Sequence, residues 1–166
     1  SKRIKKIFTL VLKGHIAVAT NNLNKISKGN LIDKKARDPL NKFNLDYGHG
    51  TGHGVGFFSN VHEGPQALSK FNSLELKEGM IVSNEPGYYE EGKFGIRIEN
   101  LVYVDKIKNK LVFKNLTMAP IDDDLINEKL LTKNEKKYLL KYKLEIYNNI
   151  SKFLGKNEKN WLLQSV

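Results

Sequence analysis

The first forty residues place apolar and polar side chains with the period of an α-helix. Apolar positions recur three and four residues apart along residues 4–13, which predicts a helix that ends near Gly14. The next apolar segment, residues 15–23, is short and partly β-branched and is interpreted as a strand. A second helix is predicted over residues 31–43, where Pro39 should end or kink it.

The middle of the chain has the pattern of short strands joined by turns. Three runs are apolar and rich in β-branched residues: 80–84, 96–104 and 111–113. Glycines between these runs supply turns, so we predict a small antiparallel sheet. Arg97 and Glu99 lie two positions apart in the second run, and side chains two apart on a strand share a face. The two are therefore expected to point in the same direction.

From residue 122 onwards the pattern becomes helical again. Thr132 and Glu135 have the spacing of a helix-capping box. One face then collects apolar side chains: Leu139, Tyr142, Ile146, Ile150 and Phe153. The aspartates at 122–124 are interpreted as capping residues, and a short helix is predicted over residues 157–163. We predict one α+β unit, in which residues 122–166 form a helical extension of residues 1–121.

Composition and charge exclude several classes of protein. The chain has no cysteine, which excludes disulfides, zinc–thiolate clusters and cysteine nucleophiles and fits a reducing compartment, so a cytoplasmic location is expected. No apolar stretch is long enough to cross a bilayer, and no membrane partner is expected. The net charge of +10 comes from lysines scattered beside Asn and Glu, without an aromatic-interleaved basic patch. We therefore interpret it as a solvated surface and expect no nucleic-acid partner.

The residues with the clearest chemical potential begin in a glycine-rich segment. Glycines between positions 48 and 64 are interleaved with His49, His53 and His62, and glycine lets backbone approach a ligand closely. Two carboxylates, Glu85 and Glu99, follow in or beside the apolar runs. One imidazole and two carboxylates suit a divalent cation such as Mn²⁺, Co²⁺ or Zn²⁺. A two-metal site needs further carboxylates, and no obvious further pair is present.

Each of these features also has an ordinary structural explanation. The glycines do not fit a phosphate-binding motif, because neither G-x-G-x-x-G nor Gly-Lys-Ser/Thr is present. His62 is followed by Glu63, but no second histidine completes the H-E-x-x-H motif of thermolysin-like zinc sites. Taken alone, Glu99 is typical of an edge-strand charge and Glu85 of a turn residue. His15 is expected to be structural.

Four segments resemble the aminopeptidase P branch of the pita-bread metallopeptidases. They are LDYGHGTGHGVG at 45–56, NVHEGP at 60–65, EGMIVSNEPGYY at 78–89 and GIRIEN at 95–100. The resemblance is specific through 45–105 and looser over the whole of 8–165. It implies that the α+β chain is the second half of a pita-bread domain with a C-terminal helical tail.

In that family two Asp, one His and two Glu hold two metal ions, usually Mn²⁺. The resemblance implies that His53 is the histidine ligand, Glu85 the first glutamate and Glu99 the glutamate that bridges both metals. His62 matches a histidine that contacts the scissile carbonyl or its tetrahedral intermediate, and His49 matches one that lines the substrate cleft.

The implied activity is that of a metal-dependent Xaa-Pro aminopeptidase. A metal-activated water would release the first residue from peptides with proline in second position. Glu85 would also move the proton, and Arg97 would brace a metal-bound carboxylate. Two Mn²⁺ ions are expected per complete site, with Zn²⁺ or Co²⁺ as alternatives.

The resemblance also implies that part of the site lies outside this sequence. The family's two aspartate ligands and a further histidine precede the first matching segment. We therefore expect a fragment that works with the upstream half of the same protein and is inactive alone. A homodimer is expected, with Tyr142, Tyr147 and Trp161 as a candidate surface. The alternatives are a methionine aminopeptidase or proline dipeptidase, and a non-catalytic pita-bread module that binds protein.

Overall fold

A computed structural model describes residues 1–58 and 60–165. Its helices are α1 (Lys2–Ala19), α2 (Gly29–Asn41), α3 (Lys133–Ile150) and α4 (Lys156–Ser165). Its strands are β1 (Gly52–His53), β2 (Ala67–Leu68), β3 (Ile81–Asn84), β4 (Gly87–Glu90), β5 (Phe94–Arg97), β6 (Asn100–Ile107) and β7 (Lys110–Asn115). The predicted α+β class is confirmed. None of the helices in the described ranges is long and apolar enough to span a bilayer.

The first helix is longer than the apolar pattern predicted. The strand expected over residues 15–23 is wrong, because α1 continues through His15 to Ala19. Gly14 does not end the helix. A Cβ at Gly14 would lie 2.3 Å from the carbonyl oxygen of Ala36 in α2, so this glycine allows two backbones to approach closely.

The second helix begins and ends within two residues of its predicted bounds. Pro39 lies inside its last turn, and α2 ends two residues later, at Asn41. The buried face contains Ile32, Ala36 and Leu40 together with the charged pair Asp33 and Arg37. Ile32 and Ala36 belong to a core that also includes Val18, Leu68, Val82, Val102 and Val104.

The strands form three small antiparallel groups, as the predicted sheet required. The order β3-β6-β7 makes one sheet, β1 pairs with β2, and β4 pairs with β5. The single strand expected over 96–104 is wrong, because the chain leaves β5 after Arg97 and enters β6 at Asn100. β5 pairs with β4, whereas β6 pairs with β3 and β7. Arg97 and Glu99 therefore do not share one strand, and the alternation of a strand does not place them on one face.

Most of the tail follows its local sequence signals. Thr132 and Glu135 form the predicted capping box at the start of α3. The side chain of Asp122 accepts a hydrogen bond from the amide of Asp124 and so caps the short 3₁₀ helix Asp123–Leu125. α4 confirms the last predicted helix. The tail has its own core of Tyr142, Ile146 and Leu162, so the place expected for Tyr142 on a dimer surface is wrong. The place predicted for Phe153 on the apolar face of the helix is also wrong, because α3 ends at Ile150 and Phe153 is 77% exposed.

The chain divides into two compact units. One contains residues Leu10–Leu116, and the other combines Ser1–Thr9 with the chain from Thr117 onwards. All the strands belong to the first unit, and so do the predicted metal-binding residues.

Candidate active site

The glycine-rich segment brings His53 beside β3. Gly54, directly after β1, forms an isolated antiparallel bridge with Val82 of β3. A Cβ on Gly52 would lie 1.9 Å from the carbonyl oxygen of Ser83, so only glycine fits this position. The amide of His53 donates to Oγ of Ser83 at 2.9 Å. The segment is thus anchored to β3 by its backbone, and the imidazole lies near the end of that strand.

Glu85 follows β3 and is almost completely buried. Its amide donates to the carbonyl oxygen of Thr51 at 2.8 Å. Its Oε1 accepts a hydrogen bond from Oγ of Ser83 at 2.8 Å, and its Oε2 lies 3.3 Å from Nη1 of Arg97. Both carboxylate oxygens are therefore oriented by protein groups, and neither is left to rotate freely.

His53 and Glu85 face each other in a way that favours a positive charge between them. Nδ1 of His53 lies 2.9 Å from the carbonyl oxygen of Gly54, which can only accept, so Nδ1 carries a proton. In a neutral ring Nε2 then presents a lone pair, and it lies 3.3 Å from Oε1 of Glu85. Two acceptors at this distance repel unless a proton or a metal cation lies between them. The pair thus has the donor set and tautomer of two metal ligands.

His62 reaches the same place from the loop after β1. Its ring centroid lies 4.1 Å from that of His53. The loop returns tightly, because the amide of Glu63 donates to the carbonyl oxygen of Gly54 at 3.0 Å. His62 is exposed, as a group that contacts a substrate must be.

Tyr89 joins two of the predicted site residues and was not itself predicted. Nε of Arg97 donates to the Tyr89 hydroxyl oxygen at 2.8 Å, and that hydroxyl lies 2.8 Å from Nε2 of His49. Nδ1 of His49 lies 2.7 Å from the carbonyl oxygen of Gly50 and so carries the proton. The Tyr89 hydroxyl therefore donates to Nε2 of His49. A continuous set of contacts now links His49 to Glu85.

The register of the β4–β5 hairpin explains this contact. Tyr89 pairs with Gly95, and Gly87 pairs with Arg97, so Tyr89 and Arg97 lie on one face. The sequence motif contained the signal, but using it requires knowing that these two strands form a hairpin.

Glu99 lies in the two-residue break between β5 and β6 and is exposed. Burial alone would lower the pKa of Arg97, but the hydrogen bond and charge of Tyr89 and the charges of Glu85 and Glu99 raise it. Within residues 1–58 and 60–165, no group of three or more His, Cys, Asp or Glu side chains is placed to hold a metal ion. The structure thus places His53 in contact with Glu85, whereas Glu99 is linked to the site by its charge interaction with Arg97. The three-ligand set stays a prediction.

A buried ion pair on α2 holds the histidine segment from behind. Arg37 donates from Nε and Nη2 to both carboxylate oxygens of Asp33, at 2.9 and 3.0 Å, and both side chains are almost inaccessible. Arg37 also donates to the carbonyl oxygens of Tyr47 and His49. Asp33 accepts from the amide and hydroxyl of Thr51, at 3.2 and 2.7 Å. The pair therefore fixes the backbone of residues 47–51, which leads into His53.

Sequence reasoning missed this pair, although its spacing was visible. Asp33 and Arg37 lie four apart, within the apolar face of a predicted helix. Burial alone would lower the pKa of Arg37, but the hydrogen bonds that it donates to Asp33 and Asp46 raise it. The guanidinium is consequently a permanent cation inside the core.

Two models of a metallopeptidase family match this chain in succession. The model of metallopeptidase family M24 matches residues 1–106, and the model of the C-terminal region of peptidase M24 matches residues 109–166. The chain is 46% identical, over 95% of its own length, to a Coprinopsis cinerea protein named "Probable Xaa-Pro aminopeptidase P", of which it covers 27%. The chain thus spans about a quarter of the length of this curated relative.

Solved structures agree with the family models. An X-prolyl aminopeptidase from Caenorhabditis elegans, described as a cytosolic enzyme with a di-nuclear active site, matches 99% of this chain with a TM-score of 0.89. The identity is 35%, and the match covers 28% of that protein. A prolidase from Pyrococcus horikoshii matches 70% of this chain with a TM-score of 0.59 and 29% identity. The predicted pita-bread fold is confirmed, and the chain belongs to metallopeptidase family M24.

Proposed function

We propose that this chain contributes part of the active site of a metal-dependent Xaa-Pro aminopeptidase. The observation that carries the proposal is the 3.3 Å separation of His53 Nε2 and Glu85 Oε1, in a ring whose Nδ1 lies 2.9 Å from the carbonyl oxygen of Gly54. Two acceptors at this distance repel unless a cation lies between them, so the pair favours metal binding. The similarity to the Coprinopsis and Caenorhabditis proteins supports the peptide substrate and the preference for proline in second position.

His53, Glu85 and Glu99 are the proposed metal ligands of this chain. Nitrogen and carboxylate donors suit Mn²⁺, and Zn²⁺ or Co²⁺ would also be accepted. A bound divalent cation polarises a carbonyl and makes water nucleophilic near neutral pH. The further carboxylates of a two-ion site would come from the upstream half of the same protein.

Three side chains would act on the substrate and on the transferred proton. His62, exposed beside His53, donates a hydrogen bond to the oxygen of the scissile carbonyl, where negative charge develops. Glu85 accepts the proton of the attacking water at a carboxylate oxygen and passes it to the leaving amine. His49 lines the cleft that receives proline.

Arg97 and Tyr89 would keep this arrangement rigid. Arg97 holds Oε2 of Glu85, while the Tyr89 hydroxyl fixes the ring of His49. Groups held before the substrate arrives do not lose further freedom during the reaction. Glu85 and His49 are thereby oriented relative to each other.

The assembly and location of the protein are also part of the proposal. The helical tail carries Trp161, which is 61% exposed, and we assign it to a homodimer surface. The protein would work in the cytoplasm, as the Caenorhabditis neighbour is described to do. Residues 1–121 would form part of the catalytic domain, and residues 122–166 its helical extension.

Activity of the metal-free full-length protein, before and after addition of Mn²⁺, tests the proposal. We expect release of Arg from an Arg-Pro-Pro peptide only with Mn²⁺, and little release of Met from Met-Ala. The chain of residues 1–166, tested alone, should show no turnover. Cleavage confined to Xaa-Pro dipeptides would identify a prolidase instead, whereas absence of metal binding and of cleavage would identify a non-catalytic module.

A further inference from the structure

His15 is a fully buried histidine that has no place in the proposed reaction. Its Nδ1 lies 3.2 Å from the carbonyl oxygen of Ile98. Its own carbonyl oxygen accepts a hydrogen bond from Nδ2 of Asn84 at 3.0 Å. One residue of α1 is therefore bonded to two separate parts of the β-structure.

The positions of these two partners along the chain are informative. Asn84 is the last residue of β3 and directly precedes Glu85, while Ile98 directly precedes Glu99. Residues 98–99 lie between β5 and β6 and are not part of either strand. One contact of His15 thus holds the backbone carbonyl of the residue before Glu99, and the other holds the side chain of the residue before Glu85.

The protonation state of the His15 ring is compatible with a hydrogen bond from Nδ1 to Ile98. Burial lowers the pKa of His15 to about 4, although the backbone groups of Ile98 and Asn84 oppose this effect. The ring is consequently neutral at physiological pH and has one N–H. The carbonyl oxygen of Ile98 can only accept, so the proton lies on Nδ1, which donates to it.

We infer that His15 is a positioning residue of the metal centre, which ties Asn84, the residue before Glu85, to the backbone of Ile98, the residue before Glu99, and so sets the separation of the two carboxylates. The inference rests on the proposed function, because it assumes that both glutamates bind metal. Metal ions bind tightly only when their ligands are held at a matching separation. His15 would therefore act on metal affinity without contacting the metal.

Three variants of the full-length protein separate positioning from simple core packing. His15→Leu fills the site but removes the N–H that bonds Ile98. His15→Asn keeps an N–H on the same Cγ, at about the position of Nδ1. Leu12→Ala is the control, since Leu12 is equally buried in α1 and its side chain cannot form a hydrogen bond. Asn84→Ala removes the other contact and serves if His15→Leu does not fold.

The measurements are Mn²⁺ titration calorimetry and hydrogen exchange of residues 98–101, both on metal-free protein. We expect His15→Leu to weaken Mn²⁺ binding by roughly 10- to 100-fold, the usual effect of losing a group that orients a ligand. The same variant should exchange faster at residues 98–101. His15→Asn should restore most of the affinity, and Leu12→Ala should lower the melting temperature without changing the affinity.

The two proposals fail in different ways. If His15→Leu binds Mn²⁺ as the wild type does and is only less stable, like Leu12→Ala, His15 is a packing residue and the inference is wrong. Equal losses of affinity in His15→Leu and Leu12→Ala would also contradict it. If the wild type itself does not bind Mn²⁺, the proposed function fails and the inference fails with it.

Discussion

The ring nitrogens of the loop histidines are distinguished by what accepts the proton of Nδ1. His49 and His53 both donate from Nδ1 to the carbonyl oxygen of a following glycine. Each therefore presents the lone pair of Nε2 outwards, His49 to the Tyr89 hydroxyl and His53 to Glu85. The same local bond thus prepares His49 for a hydrogen bond and His53 for its proposed role as a metal ligand.

His62 is the histidine whose loss should affect the reaction and leave the metal in place. We expect His62→Ala to lower kcat about 10²-fold, the usual effect of removing one donor to a developing oxyanion. Mn²⁺ affinity should not change, because the ligands are untouched. Steady-state kinetics and calorimetry on the full-length protein measure both, with Lys77→Ala as the surface control. An unchanged kcat would remove the proposed role of His62.

For single residues, the sequence predicted which side chains carry chemistry better than it predicted which side chains contact one another. The glycine-rich segment was enough to select His49, His53 and His62, and the later segment 78–89 selected Glu85, because residue type and motif spacing can be read from the chain. Tyr89 was missed, since its role depends on the pairing of two strands. Side-chain partners across a hairpin follow from register, which local composition does not specify.

Among the elements, α2 serves as the support of the histidine segment. Its buried face combines apolar residues with Asp33 and Arg37, whose side chains are 1% and 4% exposed. Together the two side chains bond the backbone of residues 47–51 at several points. Through these bonds α2 fixes the position of the segment that leads to the candidate site.

Breaking the α2 ion pair from one side should therefore be costly. Arg37→Leu leaves Asp33 charged, buried and without its partner, and should lower the free energy of unfolding by about 3–5 kcal/mol. The double variant Asp33→Asn/Arg37→Leu should recover part of that loss, because no buried charge remains. Urea unfolding of the full-length protein compares the two. A double variant less stable than Arg37→Leu would show that the charge of Asp33 is stabilising by itself.

The element boundaries show where local reasoning succeeds and where it does not. The capping box of α3 was predicted because Thr132 and Glu135 bond within a single turn. Gly14 was misread as a helix end. A glycine is needed there because the backbone of Ala36, a residue distant in sequence, lies too close for a side chain. The break at residues 98–99 was missed because the apolar alternation continues through it, while the two strands pair with different partners.

On the scale of the whole molecule, this chain corresponds to 27% of one relative and 28% of a solved structure. It belongs to an M24 protein whose remaining ligands are proposed to lie in the upstream half. The metal would then join the two parts of the protein. Stability of the full-length protein should consequently depend on the metal as well as on the packing of each part.

Removal of the metal should lower the melting temperature of the full-length protein. At a Mn²⁺ concentration of about 100 times Kd the bound ion stabilises by about 2.7 kcal/mol, so chelation should lower the melting temperature by several degrees. In Glu85→Gln, which keeps the size of the side chain, the shift should be much smaller. Thermal melts with and without Mn²⁺ test this. An equal shift in wild type and variant would show that the stabilising ion does not bind at Glu85.

The hairpin of β6 and β7 offers a practical handle on this chemistry. Its turn contains Lys108 and Asn109, both with positive φ, and lies at the opposite end of the eight-residue strand β6 from Glu99. At about 3.4 Å per residue, the nine residues from Glu99 to Lys108 span about 30 Å. A fluorophore attached through Lys108→Cys, in these 166 residues that contain no other cysteine, would report on folding of the hairpin without touching the candidate site residues.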